Sequence, residues 1–328
     1  MTLRSKTGLH VVAALIAVAL VTAAPISAVA QASPAPAATP FELKPLAPGV
    51  YAAIDGPGHK AGSNAGVVVG DDGVAVIDAF FTPDAAKALL ATIRQLTPWP
   101  VRYVVNTHYH VDHTGGDQVF RDAGAVIIAH RNVRAWLHSE NPRLLGDRIT
   151  PAQRALIASL PEPDLTTRTS LTIWLGARRL DVKAYPGHTG GDLIVEVPDA
   201  KTVFAGDLLW RHTSPNVIDG RLAPWIATDN AFLALPDAAH TIFVPGHGQV
   251  ADAADVAAFR DYLSDLLSDV RKARAAGLSG AALTAQVLPK MKAKYGDWDA
   301  FDYFIPKEIA FTEAELNGTK YLPLAPSD

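Results

Sequence analysis

Six consecutive residues, His108-Tyr109-His110-Val111-Asp112-His113, constrain this chain more than any other stretch. They set four side chains able to bind a metal within six positions, just after the apolar run Val101 to Val105. Imidazoles and a carboxylate at that density cannot all join a core, because a buried polar or charged group without a partner costs on the order of several kcal/mol. Borderline cations such as zinc take imidazole nitrogen and carboxylate oxygen together. The segment therefore predicts a buried strand whose C-terminal end opens into a metal-holding loop. No cysteine occurs in the sequence, so neither a thiolate ligand nor a disulfide is available, and nitrogen and oxygen donors must suffice.

One loop cannot enclose two cations, so further ligands must come from distant parts of the chain. His188 in YPGHTGGD, Asp207 in VFAGDLL and His247 in FVPGHG each follow an apolar, strand-like run and each adjoin a glycine that permits a tight turn. Taken singly, each reads equally well as a turn residue. Taken with the first cluster, in the same context three times over, they form a ligand set. His59, His130, His138 and His240 lack that context and read as structural or exposed, as do Arg131 and Arg134 on a solvated helix face.

The rest of the chain is organised to carry such a site. Residues 1–30 have the anatomy of a secretory signal peptide: Arg4 and Lys6, an apolar stretch from Val11 to Ala24, then Ala28-Val29-Ala30. The stretch is shorter than the roughly 20 residues of a membrane span and stops at Pro25. Cleavage after Ala30 is expected, with a periplasmic or secreted product that does not insert in the membrane. Residues 31–40, rich in Pro and Ala, predict a disordered tether. From Phe41 to about Asp78 the pattern predicts two or three antiparallel strands. Pro83 to Leu96 predicts a helix burying Ala86, Leu89, Leu90 and Ile93, and Val101 to Val105 a buried strand. A helix over Gln118 to Ala123, a strand at AVIIAH and a helix from Asn132 follow.

Glu140 to Thr167 reads as an irregular insertion or lid, relieved only by a helix over Pro151 to Ser159. Strands at LTIWL, RLDVKAY, LIVEVP and TVFAGDLL come next, then a long loop from Trp210 to Trp225. The remainder predicts helices, with Val256, Phe259, Leu263, Leu266, Leu267 and Val270 on one apolar face. Strand-rich and then helix-rich blocks thus occur twice, around 50–137 and 171–275. Two such α/β halves pack sheet on sheet with helices outside, an αββα four-layer sandwich, with the metal-bearing loops along one edge where the sheets meet. A net charge of -4 offers no basic surplus for phosphate backbones, which argues against nucleic acid and for a small-molecule partner, neutral or cationic.

In combination these motifs resemble the metallo-β-lactamase superfamily. THYHVDHTGG is similar to its H-x-H-x-D-H motif, VAVIDA to the preceding strand with an aspartate, and PGHTGGD, GDLL and PGHG to its later ligand motifs. The likeness runs from about Tyr51 to Gly248. It implies a metallo-β-lactamase-like domain over 41–275, with 276–328 as a C-terminal helical extension packed on the same domain. It further implies that His108, His110 and His188 hold one zinc ion, that Asp112, His113 and His247 hold a second, and that Asp207 bridges the two. Asp78 is implied to fix a histidine tautomer or the ligand loop, as metal-bound imidazoles commonly require. Zinc follows from the resemblance alone, since His and Asp donors also admit iron or manganese.

Two positions separate branches of that family. A redox branch carries glutamate where this chain has His110, which favours hydrolysis here. The best-known zinc β-lactamases carry cysteine where this chain has Asp207, which resembles glyoxalase II-like thioesterases and lactonases instead. The expected chemistry is attack on a carbonyl by a hydroxide between the two metals, with Asp112 orienting it or shuttling a proton. Trp210, Arg211 and His212 follow Asp207 and are expected to rim the site: Arg211 and His212 toward a substrate carboxylate or leaving group, Trp210 or Trp225 as an apolar wall. Plain surface and packing roles compete with that reading.

Three functions result. The first is an exported hydrolase opening an amide or ester carbonyl, β-lactamase-like or lactonase-like. The second is a thioesterase of glyoxalase II-like type, and the third a non-catalytic periplasmic metal or ligand carrier. The intact ligand set favours an enzyme, because a carrier needs no open position for hydroxide.

Overall fold

Alternation along the strands assigns each side chain to one of two layers, and the architecture follows from it. The computed structural model describes residues 39–325, without the Arg148 side chain. The expected signal peptide, 1–30, and all but the last two residues of the expected tether lie outside the described residues. Strands β1 (Phe41–Ala47), β2 (Val50–Asp55), β3 (Ala65–Val69) and β4 (Val74–Ile77) form an antiparallel meander. Helix α1 (Pro83–Leu96) then crosses over to β5 (Val101–Val105), which lies parallel to β4. In β4, Val74 and Val76 face the helix layer while Ala75 and Ile77 face the second sheet, as a period of two requires.

Beyond β5 come α2 (Val111–Thr114), α3 (Asp117–Asp122), β6 (Val126–His130), α4 (Arg131–Trp136), α5 (Asn141–Leu145), α6 (Pro151–Ser159) and β7 (Leu165–Thr167). The first sheet has seven strands in sequence order, β1 to β7. The second half supplies β8 (Ser170–Leu175), β9 (Arg178–Ala184), β10 (Leu193–Val197), β11 (Thr202–Trp210), α7 (Leu222–Leu233) and β12 (Ile242–His247). These five strands make the second sheet, ordered β12-β11-β10-β9-β8, with only the β11–β12 pair parallel. Helices α8 (Ala253–Ala275), α9 (Gly280–Tyr295) and α10 (Phe301–Asn317) close the chain.

Three apolar layers hold the sandwich together. Leu89, Ile93 and Phe120 cover the outer face of the first sheet. Val68, Ile77, Val182, Val195 and Phe204 interdigitate between the sheets. Trp225, Phe259, Leu263, Leu283, Val287, Ile305 and Ile309 cover the second sheet, so α9 and α10 share one core with α7 and α8. This is the αββα arrangement the two-fold repetition of strand and helix blocks predicted. Among the described residues no helix is long and apolar enough to cross a membrane.

Three local expectations change. There are four strands before Asp78, not two or three: β1 pairs along β2 despite Pro45, which an edge strand tolerates. The stretch from Glu140 to Thr167 is not irregular. Besides α6, whose Thr150 and Gln153 form a capping box, it holds α5 and the strand β7 on the edge of the first sheet. The loop after β11 spans only residues 211–221, because Trp210 ends the strand and Trp225 lies inside α7. Pro224 sits in that helix's first turn, where its missing N–H costs nothing.

Candidate metal centre

The C-terminal ends of β5, β11 and β12 meet at one rim of the sandwich, and the loop between β9 and β10 reaches the same place. His108, His110 and the one-turn helix α2 carrying Asp112 and His113 leave β5. Asp207 lies within β11, and His247 ends β12 beside it. Close approach here depends on two glycines. A Cβ on Gly246 would stand 1.8 Å from Asp207 Oδ1, and one on Gly206, whose φ is +53°, would stand 2.4 Å from Thr107 Oγ1.

The structure brings seven expected ligands into two groups. His108, His110, His188 and Asp207 offer donor atoms within 4.8 Å of one another, and so do Asp112, His113 and His247. Asp207 connects the groups: its Oδ2 is 3.3 Å from His188 Nε2 and 3.7 Å from His108 Nε2. Its Oδ1 is 3.1 Å from His113 Nε2 and 3.4 Å from His247 Nε2. Asp112 Oδ2 lies 3.4 Å from His247 Nε2 and 3.6 Å from His113 Nε2. Tetrahedral coordination with bonds of about 2.0–2.1 Å sets donors about 3.3 Å apart, so these spacings fit what such a site would require. Among the described residues, the buried Nε2 atoms of His108, His113 and His247 and Oδ1 of Asp207 have no hydrogen-bond partner. Native folds rarely leave that many buried polar atoms unsatisfied, and a pair of cations would satisfy all of them.

Hydrogen bonds behind the ligands fix which nitrogens face inward. Asp78 Oδ2 accepts from His113 Nδ1 at 2.8 Å and from the Thr107 hydroxyl at 2.8 Å, while its Oδ1 accepts the Thr107 N–H at 2.7 Å. With its proton given to Asp78, the Thr107 oxygen accepts from His108 Nδ1, 3.0 Å away. One carboxylate thus sets the tautomer of two ligands, leaving Nε2 of each free. Asp78 holds a left-handed backbone, φ +58°, to do so.

Charge agrees with geometry. Burial pushes His188 down to about 3 and His108 well below its usual range, so both are neutral, the form that binds cations. Burial alone would raise Asp207, and the imidazoles of His247, His113, His188 and His108 outweigh it and hold the carboxyl well below the usual range. Burial likewise opposes a charge on His247, yet Asp207 and Asp112 carry it up to about 9. The carboxylates favour positive charge at this point, which a divalent cation would supply.

A cleft of about 960 Å³ opens over the cluster, walled by Phe81, Leu144, Leu145, Tyr303 and Phe304. The expected rim residues divide. Trp210 lines the cleft, stacks on His247 with ring centres 4.1 Å apart, and donates its indole N–H to the Asp207 carbonyl. Arg211 reaches the cleft with its Nε on Asp255 Oδ2 at 2.9 Å. His212 lines it too, its ring 5.5 Å from Trp298. Trp225 is not a cleft wall: it is fully buried behind His188, its indole bonded to the Leu208 carbonyl. His59, read as structural or exposed, lines the mouth of the cleft with Nδ1 on Asp55.

Residue-level reading missed the groups that hold the ligand segment from outside. Asn141, fully buried, accepts the Val111 N–H and donates to the carbonyls of Tyr109 and Leu137. Asn64 donates to Pro245 and Gly248, joining the first sheet to the strand of His247. Asp219 accepts the Tyr109 hydroxyl and faces His110. In sequence these are Asn before Pro, Asn in a Gly-rich turn and Asp before Gly, all ordinary turn punctuation.

A family model of the metallo-beta-lactamase superfamily matches residues 60–247. A hydroxyacylglutathione hydrolase of Brucella anthropi is 28% identical over 173 residues, covering 53% of this chain and 57% of that protein. The enzyme of the same name from Brucella ovis is 27% identical over 173 residues, covering 53% and 58%. The match thus spans little more than half the length of these relatives. Among solved structures, a metallo-beta-lactamase from Pontibacter korlensis has a TM-score of 0.54 at 22% identity, covering 68% of this chain and 99% of its own. A metallo-beta-lactamase from Pseudomonas aeruginosa in a mono-zinc form has a TM-score of 0.55 at 20% identity, covering 69% and 95%. At that identity the two structures share the fold.

Proposed function

The chain belongs to the metallo-beta-lactamase superfamily, and on that premise we propose that it is an exported hydrolase that uses two metal ions, zinc by preference, to open an amide or ester carbonyl. The observation that carries the reading is Asp207, whose two oxygens face the two ligand groups separately. His108, His110 and His188 would hold the first ion and Asp112, His113 and His247 the second. Such a pair would acidify a water between them and polarise a substrate carbonyl.

The chain's own groups account for the rest. Asp112 is the ligand most open to the cleft, with its side chain 32% exposed, so its free oxygen is placed to orient the attacking water and take its proton. Trp210 holds the His247 ring flat against its indole and shields that side from water. The apolar wall of Leu144, Leu145 and Phe304 suits the hydrocarbon part of an acyl group or ring. Arg211, oriented by Asp255, is the cation available to a substrate carboxylate at the rim. Export rests on the signal-peptide anatomy of residues 1–30.

Thioester hydrolysis is the second reading, favoured by relatives named hydroxyacylglutathione hydrolase and by the bridging aspartate. Zinc-reconstituted protein assayed side by side on a β-lactam, an acyl-homoserine lactone and a glutathione thioester separates the two. A lactone or β-lactam rate at least tenfold above the thioester rate supports the first reading, and the reverse order supports the second. His110→Ala and Asp207→Ala are each expected to lose bound metal and at least about 100-fold in rate, since whatever holds the ions holds the chemistry. If both variants keep metal and rate, the site assignment is wrong.

A further inference from the structure

We propose that Asp219, with the C-terminal tail that anchors its loop, is a positioning residue for His110 and thereby for the first of the two cation sites. The proposal rests on the reading of the cluster as a two-cation site. Asp219 lies in the connection between β11 and α7, its side chain fully shielded from solvent. Its Oδ2 accepts the Tyr109 hydroxyl and stands 3.7 Å from His110 Nε2; its Oδ1 accepts from Arg143 Nη2 at 2.5 Å. The other His110 nitrogen, Nδ1, faces the cluster, 3.1 Å from His188 Nε2. His110 therefore uses one nitrogen for the site and turns the other to a carboxylate.

That carboxylate favours the tautomer with the proton on Nε2, which leaves Nδ1 free for a cation. At 3.7 Å the pair is too far apart for a hydrogen bond, so the effect is electrostatic, between two side chains that are largely shielded from solvent. The grip on Tyr109 adds a mechanical hold one residue away. Tyr109 packs edge-on against the His110 ring at 4.6 Å and against Trp136 at 5.7 Å. The arrangement extends a pattern: His113 has Asp78 behind it, His108 has Thr107, and His110 has Asp219.

What holds Asp219 comes from the far end of the chain. The Lys320 ammonium, 3% exposed, donates to the carbonyls of Val217 and Gly220, on either side of Asp219. Glu315, 3.6 Å from Lys320, accepts the Leu222 N–H at the start of α7. The Tyr321 ring lies 4.7 Å from the Arg143 guanidinium, which Glu140 also holds, and the Trp136 indole donates to the Leu324 carbonyl. Residues 315–324 lie beyond the segment 60–247 that matches the family. The support for Asp219 thus comes from outside the matched segment.

The competing explanation is that Asp219 only neutralises the buried end of Arg143. Zinc titration against a competing chelator decides, run on the full chain, on Asp219→Asn and on Lys320→Met, each also in His188→Ala and His247→Ala backgrounds that delete one site. The expected result is a dissociation constant for the first site raised about 10- to 100-fold in D219N, with the second unchanged within a factor of about three. K320M should shift the same site in the same direction by less. The weakening should persist in the H247A background and vanish in the H188A background.

Equal weakening of both sites, or no change at either, overturns the proposal. If D219N fails to fold, judged by its melting transition, K320M carries the same comparison. A wild-type chain that binds one zinc overturns the two-cation reading, and the effect of D219N on that remaining ion still decides the role of Asp219.

Discussion

At Asp78 the cost and the use of a single residue can be separated. Its left-handed backbone is one that Asp and Asn adopt at lower cost than Ala, and its carboxylate sets the tautomers of His113 and, through Thr107, of His108. Asp78→Asn keeps the backbone preference and loses the charge, so it should lower zinc affinity about 10- to 100-fold with little change in the melting temperature of the metal-free protein. Asp78→Ala should lose the same affinity and about 1 kcal/mol or more of stability besides. Chelator competition and thermal denaturation of the two variants read the two effects apart. Gly246 gives a second residue-scale prediction. A methyl group there would collide with Asp207 Oδ1, so Gly246→Ala should weaken zinc binding at least about tenfold while the far-ultraviolet circular dichroism stays unchanged.

At the scale of elements, the stretch from Glu140 to Thr167 is a support for the site as well as part of its wall. Asn141 at the start of α5 holds the backbone on both sides of His110, and Leu144 and Leu145 line the cleft. Asn141→Ala strands the buried Val111 N–H and two carbonyls, and should cost about 2 kcal/mol or more, seen as a lower urea midpoint with an unchanged slope. A midpoint within error of wild type would show that water replaces the amide. This element was hard to read because its strand, β7, is three residues long and its helix α5 five, too short for periodicity to register. The helices α1 and α8 were legible for the opposite reason. Each runs for several turns with one apolar face, and the residues expected inside are buried.

For the whole molecule, two equilibria link folding to solution conditions. Glu308 on α10 is buried beneath the cleft wall, accepting hydrogen bonds from Tyr262 on α8 and from Ser214 in the loop after β11. Burial pushes its carboxyl up to about 8 from the usual 4.5. The native chain therefore keeps a proton that the unfolded chain releases above about pH 4.5. The stabilisation is complete below that pH and is lost as pH rises toward about 8. Glu308→Gln keeps a neutral group in place and should flatten the fall in melting temperature between about pH 5 and 8; parallel curves for the two proteins would count against the buried acid.

Metal removal is the second link. Ions that bind only the native state add about 2.7 kcal/mol per site at a free concentration a hundred times the dissociation constant. Stripping the protein with a chelator should then lower its melting temperature by several degrees, and Asp207→Ala should not respond.

The sequence by itself determined the periodicities, and with them the two α/β halves, their sandwich, and the identity of the seven side chains that gather at its rim. Those signals are local: a strand's alternation, a helix's apolar face, and polar residues too dense to be buried without a cation. Tertiary structure alone decided what surrounds the ligands. Asn64, Asn141 and Asp219 act across 181, 32 and 110 residues of chain, and each looks like a turn residue where it stands. Their partners are chosen by the packing of sheets and loops, which no short window of sequence contains. The His108 to His113 segment shows the division: its residue types announce a metal, and the fold decides which nitrogen each histidine turns toward it.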